Sequence, residues 1–200
     1  MNSFLNVDLS LTGRRWVGPT AAADRLAEMM VQETRLPMPL ARILVARGVA
    51  PEEATAFLEP TLRDLLPDPL TLKDMGKAAA RFVAAAKSGE KIAVFADYDV
   101  DGGTSAALLL TWLRAMGRDA TLYIPDRIDE GYGPNEPAMA ALAAEHGLIV
   151  CVDCGTLSHG PVEAAKAADV VILDHHLGGE TLPAALAVVN PNRQDESGDL

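Results

Sequence analysis

The chain has 200 residues, 49% of them hydrophobic and only 4% aromatic, with 17 Lys and Arg against 28 Asp and Glu for a net charge of −11. That is enough apolar material for one good core, or for a core plus a small appendage, and the scarcity of aromatics favours helices packed on a modest sheet over a sandwich or barrel. No apolar run approaches the roughly 20 residues of a membrane span, and the N-terminus has neither the basic nor the apolar region of a secretory signal, so no membrane association and a cytoplasmic location are expected. Cys151 and Cys154 flank Val152 and Asp153 and are expected to stay reduced. Residues 1–91 carry 12 of the 17 basic and 11 of the 28 acidic residues, which leaves −12 on residues 92–200. Acids so concentrated repel one another unless cations neutralise them.

The first 70 residues are expected to form a helical extension and linker. Thr20 can cap a helix over 21–33, ended by Pro37 and Pro39. Residues 40–47 predict a short helix closed by Gly48, and Pro51 opens a third through Phe57 and Leu58. Pro60, Pro67 and Pro69 punctuate a linker. From residue 71 to 200 a catalytic domain is expected, opening with a helix over 75–87 capped by Asp74. Strand and helix then alternate. Strands are predicted at 92–96, 120–124, 148–152, 170–173 and 185–189, with helices at 104–116, 137–146 and 158–167 between the first four. The fold class is therefore α/β: a mainly parallel sheet of about five strands with helices on both faces, preceded by the helical N-terminal extension.

In such sheets the working site lies beyond the carboxyl ends of the strands. Strand one leads into Asp97-Tyr98-Asp99-Val100-Asp101-Gly102, strand three into Asp153-Cys154-Gly155, and strand four into Asp174-His175-His176. Asp97-x-Asp99-x-Asp101-Gly102 alone matches the opening of an EF-hand loop, but the twelfth position is Leu108 rather than a bidentate Glu and the run follows a strand. A phosphatase of the haloacid dehalogenase type would use Asp99 and Asp101 and leave Asp174-His175-His176 without a role. A third reading uses every residue: oxygen ligands from Asp97, Asp99, Asp101 and Asp153 with imidazole from His175 suit two Mn²⁺ or Mg²⁺ ions. Such a pair shares a bridging hydroxide and clamps a phosphate during in-line displacement. Asp174 is expected either to act in catalysis or to orient a ligating histidine. Gly102-Gly103-Thr104-Ser105 is expected to open a helix whose backbone amides, Thr104 among them, offer a phosphate site.

Val171-Ile172-Leu173-Asp174-His175-His176 and Phe95–Gly102 resemble the signature and first motif of the DHH phosphoesterases. Tyr123-Ile124-Pro125-Asp126-Arg127, Glu130-Gly131-Tyr132-Gly133, Val152-Asp153-Cys154-Gly155 and Val188-Val189-Asn190-Pro191 are similar to segments of the RecJ-type members of that family, as is the approach from about residue 40. The resemblance implies metal-dependent, 5′→3′ hydrolysis of single-stranded DNA in repair and recombination, with repair-protein partners that the sequence does not identify. A DHH enzyme of small substrates, or a remnant that binds metal or DNA without turnover, are the alternatives. It implies Asp99, Asp101, Asp153 and His175 as metal ligands, Asp97 as ligand or support, and His176 at the scissile phosphate or leaving group. It also places Arg127 and the Gly131-Tyr132-Gly133 turn on the substrate backbone, a role suited to a guanidinium, the alternative for Arg127 being an ion pair with Asp129 or Glu130. The family commonly carries an apolar residue where Gly103 stands, and its members continue into further domains, so the chain is expected to be an N-terminal part of such a protein.

Overall fold

Five short apolar runs pair in parallel to make one sheet. In the computed structural model, which describes residues 3–196, the strands are β1 (Ile92–Ala96), β2 (Thr121–Tyr123), β3 (Leu148–Val152), β4 (Asp169–Leu173) and β5 (Ala187–Val189), ordered β2-β1-β3-β4-β5. All four neighbouring pairs are parallel. Side chains alternate between faces. Val94, Ala96, Val150, Val152 and Val171 pack against α5 (Met75–Ser88) and α6 (Val100–Ala115). Phe95, Ile149, Cys151 and Ile172 pack against α7 (Glu136–Glu145) and α8 (His159–Ala164). With both faces covered, β1 and β3 are buried along their whole length, which is why they read as unbroken apolar runs. Alanine at Ala78, Ala85, Ala86, Ala106, Ala138, Ala143 and Ala165 gives the helices a small-residue face toward the sheet.

The chain divides between Leu66 and Pro67 into two compact units. The first contains α1 (Ala21–Thr34), α2 (Met38–Ala46), α3 (Ala54–Leu58) and α4 (Leu62–Leu65), around a small core of Ala27, Met30, Ala41, Leu44, Val49 and Ala54. Thr20 caps α1 as expected, its hydroxyl accepting from Ala23 N–H at 3.1 Å.

Two sequence expectations fail for physical reasons. Asp74 does not cap α5: it sits at φ 61 with no capping bond, and its Oδ2 accepts from Arg193 Nη1 at 2.9 Å and Val188 N–H at 3.2 Å. A long-range ion pair has taken the carboxylate that the local pattern reserved for the helix. The second failure is the start of α6, which begins at Val100 rather than Thr104 because Asp99 caps it, accepting from Asp101 N–H and Gly102 N–H. Gly102 is not a breaker here. A Cβ at that position would lie 2.3 Å from the Asp97 carbonyl oxygen, so only glycine lets the first helical turn press onto the loop after β1. Inside that turn the Gly102–Ser105 amides are no free phosphate site: Gly102 N–H and Gly103 N–H go to Asp99, and the Thr104 hydroxyl donates to Val100 O at 2.8 Å.

At the opposite, amino-terminal edge, Arg81 ties α5 to the sheet. Its guanidinium donates to both oxygens of Glu90 at 2.7 and 2.8 Å, to Asp169 Oδ2 at 2.6 Å and to Gly147 O at 3.2 Å. The fork geometry is specific to arginine. Arg81→Ala is expected to lower the unfolding free energy by roughly 2–3 kcal/mol, and Arg81→Lys to recover less than half of that loss. Urea titrations of the two variants followed by circular dichroism measure both.

Candidate metal centre

Register brings the acids together. Ala96 is level with Val152, and Val152 with Leu173. The next residues, Asp97, Asp153 and Asp174, therefore leave three adjacent strands side by side, about 4.8 Å apart. The strand order also puts β1 and β3 at the point where the winding of the sheet reverses, which is where open α/β sheets hold their ligands.

Two donor sets result, each with its ligand atoms within 4.8 Å of one another: Asp97, Asp99 and Asp153, and Asp153 with His175 and His176. Asp153 belongs to both. Among the described residues, none hydrogen-bonds to Asp97 Oδ1 or to either Asp153 oxygen, although all three atoms are buried. His175 Nε2 comes within 3.0 Å of Asp153 Oδ1 but outside hydrogen-bonding geometry. Asp153 is 5% exposed and has φ 61, a left-handed conformation that non-glycine residues adopt at a cost. Burial, and after it the neighbouring Asp99 carboxylate, push the Asp153 carboxyl up to about 6, against a partial downward pull from His175 and His176. Asp99 moves the other way: Gly102 N–H, then the neighbouring Asp153 and the Asp101 N–H, hold its carboxyl below the ordinary range. The sets thus join three buried, unpartnered oxygens of Asp97 and Asp153 to the exposed Asp99 carboxylate and two exposed imidazoles, which fits hard divalent cations of the Mn²⁺ or Mg²⁺ kind.

Not every expected ligand joins these sets. Asp101 lies outside both, on the first turn of α6, where it lines an open cleft of about 410 Å³ with Thr104, Asp153, Asp174 and His175. His176, expected at the substrate, is instead within a donor set. Asp174 has little capacity left for a cation. Its Oδ2 accepts from the Thr156 hydroxyl at 2.6 Å and Thr156 N–H at 3.0 Å. Its Oδ1 accepts from His175 N–H at 2.8 Å, His176 N–H at 3.2 Å and His176 Nδ1 at 2.8 Å. Burial works to raise this carboxyl, yet Thr156 and His176 together hold it below the usual range. The bond to Asp174 in turn raises His176 against its own partial burial. Asp174 is thus held by Thr156 on one oxygen and by His175 and His176 on the other.

Arg127 pairs with neither Asp129 nor Glu130 in any ion pair of the described residues; it lies over the Tyr98 ring, 5.4 Å from the centroid. Tyr98 meets Tyr132 edge-on, and Tyr132 meets His176 in the same way. The Tyr132 hydroxyl is 3.1 and 3.2 Å from the two His176 ring nitrogens. Gly131 at φ 82 and Gly133 at φ 71 make the turn that carries Tyr132 inward. Glu130 pins the same loop, accepting from the Tyr123 hydroxyl at 2.5 Å and Asp126 N–H at 2.8 Å. Thr156 and Asn190 were missed as site residues. Both are at most 1% exposed, and both are bonded into the network behind the histidines.

Fold and donors together define an α/β protein with a candidate two-cation centre at the switch point of a parallel sheet. The chain belongs to the DHH family: the family's N-terminal domain matches residues 91–198. Single-stranded-DNA-specific exonuclease RecJ of Bacillus subtilis (strain 168) is 38% identical over 184 residues, covering 90% of this chain and 23% of that protein. The protein of the same name from Escherichia coli (strain K12) is 39% identical over 165 residues, 80% of this chain and 28% of its own length. The chain therefore spans about a quarter of the length of these curated relatives. Among solved structures, RecJ from Thermus thermophilus in complex with Mn²⁺ superposes with a TM-score of 0.68 at 28% identity over 90% of this chain and 25% of that one. An exonuclease RecJ bound to manganese gives a TM-score of 0.60 at 34% identity over 66% and 34% of the two chains.

The raised Asp153 carboxyl carries a pH signature. Folding raises it from 3.8 to about 6, so its stabilising contribution is full below about 3.8 and lost as pH rises through about 6. Asp153→Asn, which removes the buried charge and tolerates the left-handed backbone, is expected to raise the metal-free unfolding free energy at pH 8 by on the order of 1 kcal/mol. The same variant is expected to lose Mn²⁺ binding, whereas the unsubstituted chain gains Mn²⁺ affinity between pH 5 and 7 as the proton leaves. Calorimetric titrations at the two pH values, with denaturation curves alongside, check each part.

Proposed function

We propose that the second unit of this chain, residues 67–200, is a catalytic domain that hydrolyses phosphodiester bonds in single-stranded DNA from the 5′ end, using two bound Mn²⁺ or Mg²⁺ ions. The observation that carries this reading is the sharing of buried Asp153 between two donor sets, with three carboxylate oxygens that no group among the described residues satisfies. The relatives named for single-stranded DNA and the manganese complexes of similar fold support the substrate and the ions. A role in DNA repair and recombination and a cytoplasmic location follow from the same similarity; no helix of the described residues is long and apolar enough to cross a membrane.

Asp97, Asp99 and Asp153 would hold one ion, and Asp153, His175 and His176 the other, with Asp101 facing the same cleft. The ions would supply Lewis-acid neutralisation of phosphate charge and activation of water. Without cations this edge repels DNA, because residues 92–200 carry a net −12 and the cleft is walled by Asp101, Asp153 and Asp174. Attraction has to come from the ions and from Arg127, whose planar guanidinium, laid over Tyr98, suits a non-bridging phosphate oxygen. Tyr132 and Tyr98 present ring faces and edges beside the histidines, a surface on which a nucleobase can stack. His176, tied to Asp174 through Nδ1, would offer its remaining nitrogen to the second ion.

Incubation of the purified chain with a 5′-labelled single strand tests the reading. Release of labelled mononucleotide is expected with Mn²⁺, none with EDTA, and a loss on the order of 10²–10³-fold in Asp99→Asn and His175→Ala, the scale on which removing one electrostatic stabiliser of a transition state is felt. Equal release in both variants, or release in EDTA, sinks the assignment.

A further inference from the structure

Behind the two histidines lies a hydrogen-bond chain whose direction donor and acceptor chemistry fix without ambiguity. Asn192 N–H donates to Asn190 Oδ1 at 2.7 Å. A backbone N–H has no other role, so the amide of Asn190 has one orientation and its Nδ2 must donate. It does so twice, to Thr156 Oγ1 and to the His176 carbonyl, both at 2.8 Å. The Thr156 hydroxyl, accepting from Asn190, directs its own hydrogen to Asp174 Oδ2 at 2.6 Å. Asp174 is thereby used as an acceptor on both oxygens, and the His176 Nδ1 at 2.8 Å from Oδ1 must carry the ring hydrogen. The lone pair of the neutral ring is left at Nε2. A second asparagine holds the neighbouring backbone: Asn192 Nδ2 donates to the His175 carbonyl.

We propose that Asn190 and Thr156 are positioning residues that orient Asp174 and thereby set the His176 tautomer, with the ring hydrogen at Nδ1 and the lone pair at Nε2, beside the Tyr132 hydroxyl. Neither residue lines the cleft, and both are buried, Asn190 at 0% and Thr156 at 1% exposure, so they act through Asp174 and the His176 backbone rather than on substrate. Together they join the three segments after β3, β4 and β5. Polarity is what distinguishes this chain from simple glue. Asn190→Asp keeps the shape but replaces the donor by an acceptor, and the one Thr156 hydrogen is then drawn away from Asp174. Thr156→Val keeps the volume and deletes the relay, whereas Thr156→Ser keeps the hydroxyl.

The consequence for cations rests on the metal-dependent reading above; the tautomer does not, and the two are measured separately. The whole chain is labelled with ¹⁵N and the metal-free imidazole tautomers are read at pH 9 by two-bond ¹H–¹⁵N correlation, with Mn²⁺ affinity measured by calorimetry and folding by near-ultraviolet circular dichroism. The unsubstituted chain and Thr156→Ser are expected to show His176 protonated at Nδ1 alone. Folded Thr156→Val and Asn190→Asp are expected to show a raised Nε2–H population and about tenfold weaker Mn²⁺ binding, the usual cost of losing a group that orients a ligand. Thr156→Val with an unchanged tautomer and unchanged affinity overturns the proposal, as does Thr156→Ser behaving like Thr156→Val. If the tautomers respond as stated while the unsubstituted chain binds no Mn²⁺, the positioning role stands and the metal-dependent reading falls.

Discussion

Asp97 and Asp153, both buried, and the exposed Asp99 repel one another at one edge of the sheet, and much of the second unit serves to keep them there. In bulk water three such carboxylates would separate or take up protons. Here the parallel register of β1, β3 and β4 prevents the first, because the strands that carry two of them are buried on both faces and paired along their length. The second is visible as the raised Asp153 carboxyl. The stability that the sheet derives from its apolar faces thus supports an edge that is electrostatically unfavourable until a cation arrives. That is the trade expected of a binding centre, and the left-handed backbone at Asp153 belongs to the same trade.

Around this core the remaining polar groups are satisfied with little left over. Asp99 divides its work, giving Oδ1 to the first amides of α6 while remaining within the donor set of Asp97 and Asp153. The partial positive charge of a helix N-terminus favours the ionised carboxylate, so the helix keeps Asp99 charged while burial makes Asp153 reluctant. Opposed environments thus give two neighbouring carboxylates different proton affinities. Gly102 makes that arrangement sterically possible, since any side chain there would collide with the Asp97 carbonyl.

The parts that could be read from sequence were those set by local or periodic patterns. β1 and β3 were bounded to the residue because strands buried on both faces are continuous apolar runs, and the rule that ligands gather beyond strand ends selected Asp97, Asp153 and His175. Misreadings arose where a distant partner overrode a local preference. The helix expected over 104–116 starts at Val100, because Asp99 caps it and contact with the Asp97 carbonyl requires Gly102 inside its first turn. Asp74 looked like a cap, but Arg193, 119 residues away, claimed it. Asp101 shares its motif with Asp99 yet stands outside the tight sets, because the helix had already begun and turned it toward the cleft. Thr156 and Asn190 carry no charge and match no ligand spacing. The one signal for Asn190 was its place directly after β5, at the same edge of the sheet, where the strand-end rule could have been applied a fourth time.

Charge distribution closes the physical picture. Residues 92–200 are strongly acidic, which is unfavourable for holding a polyanion over any length. A centre built of acids nevertheless suits a polyanion at one point, because divalent ions bound there invert the local sign while the surrounding surface stays repulsive. Only a phosphate placed against the ions escapes that repulsion, with Arg127 the single basic side chain of the loop beside them. On the function proposed above, a single strand would set one phosphate against the ions with its bases toward Tyr98 and Tyr132, whereas a duplex would present two backbones and bases that are already paired.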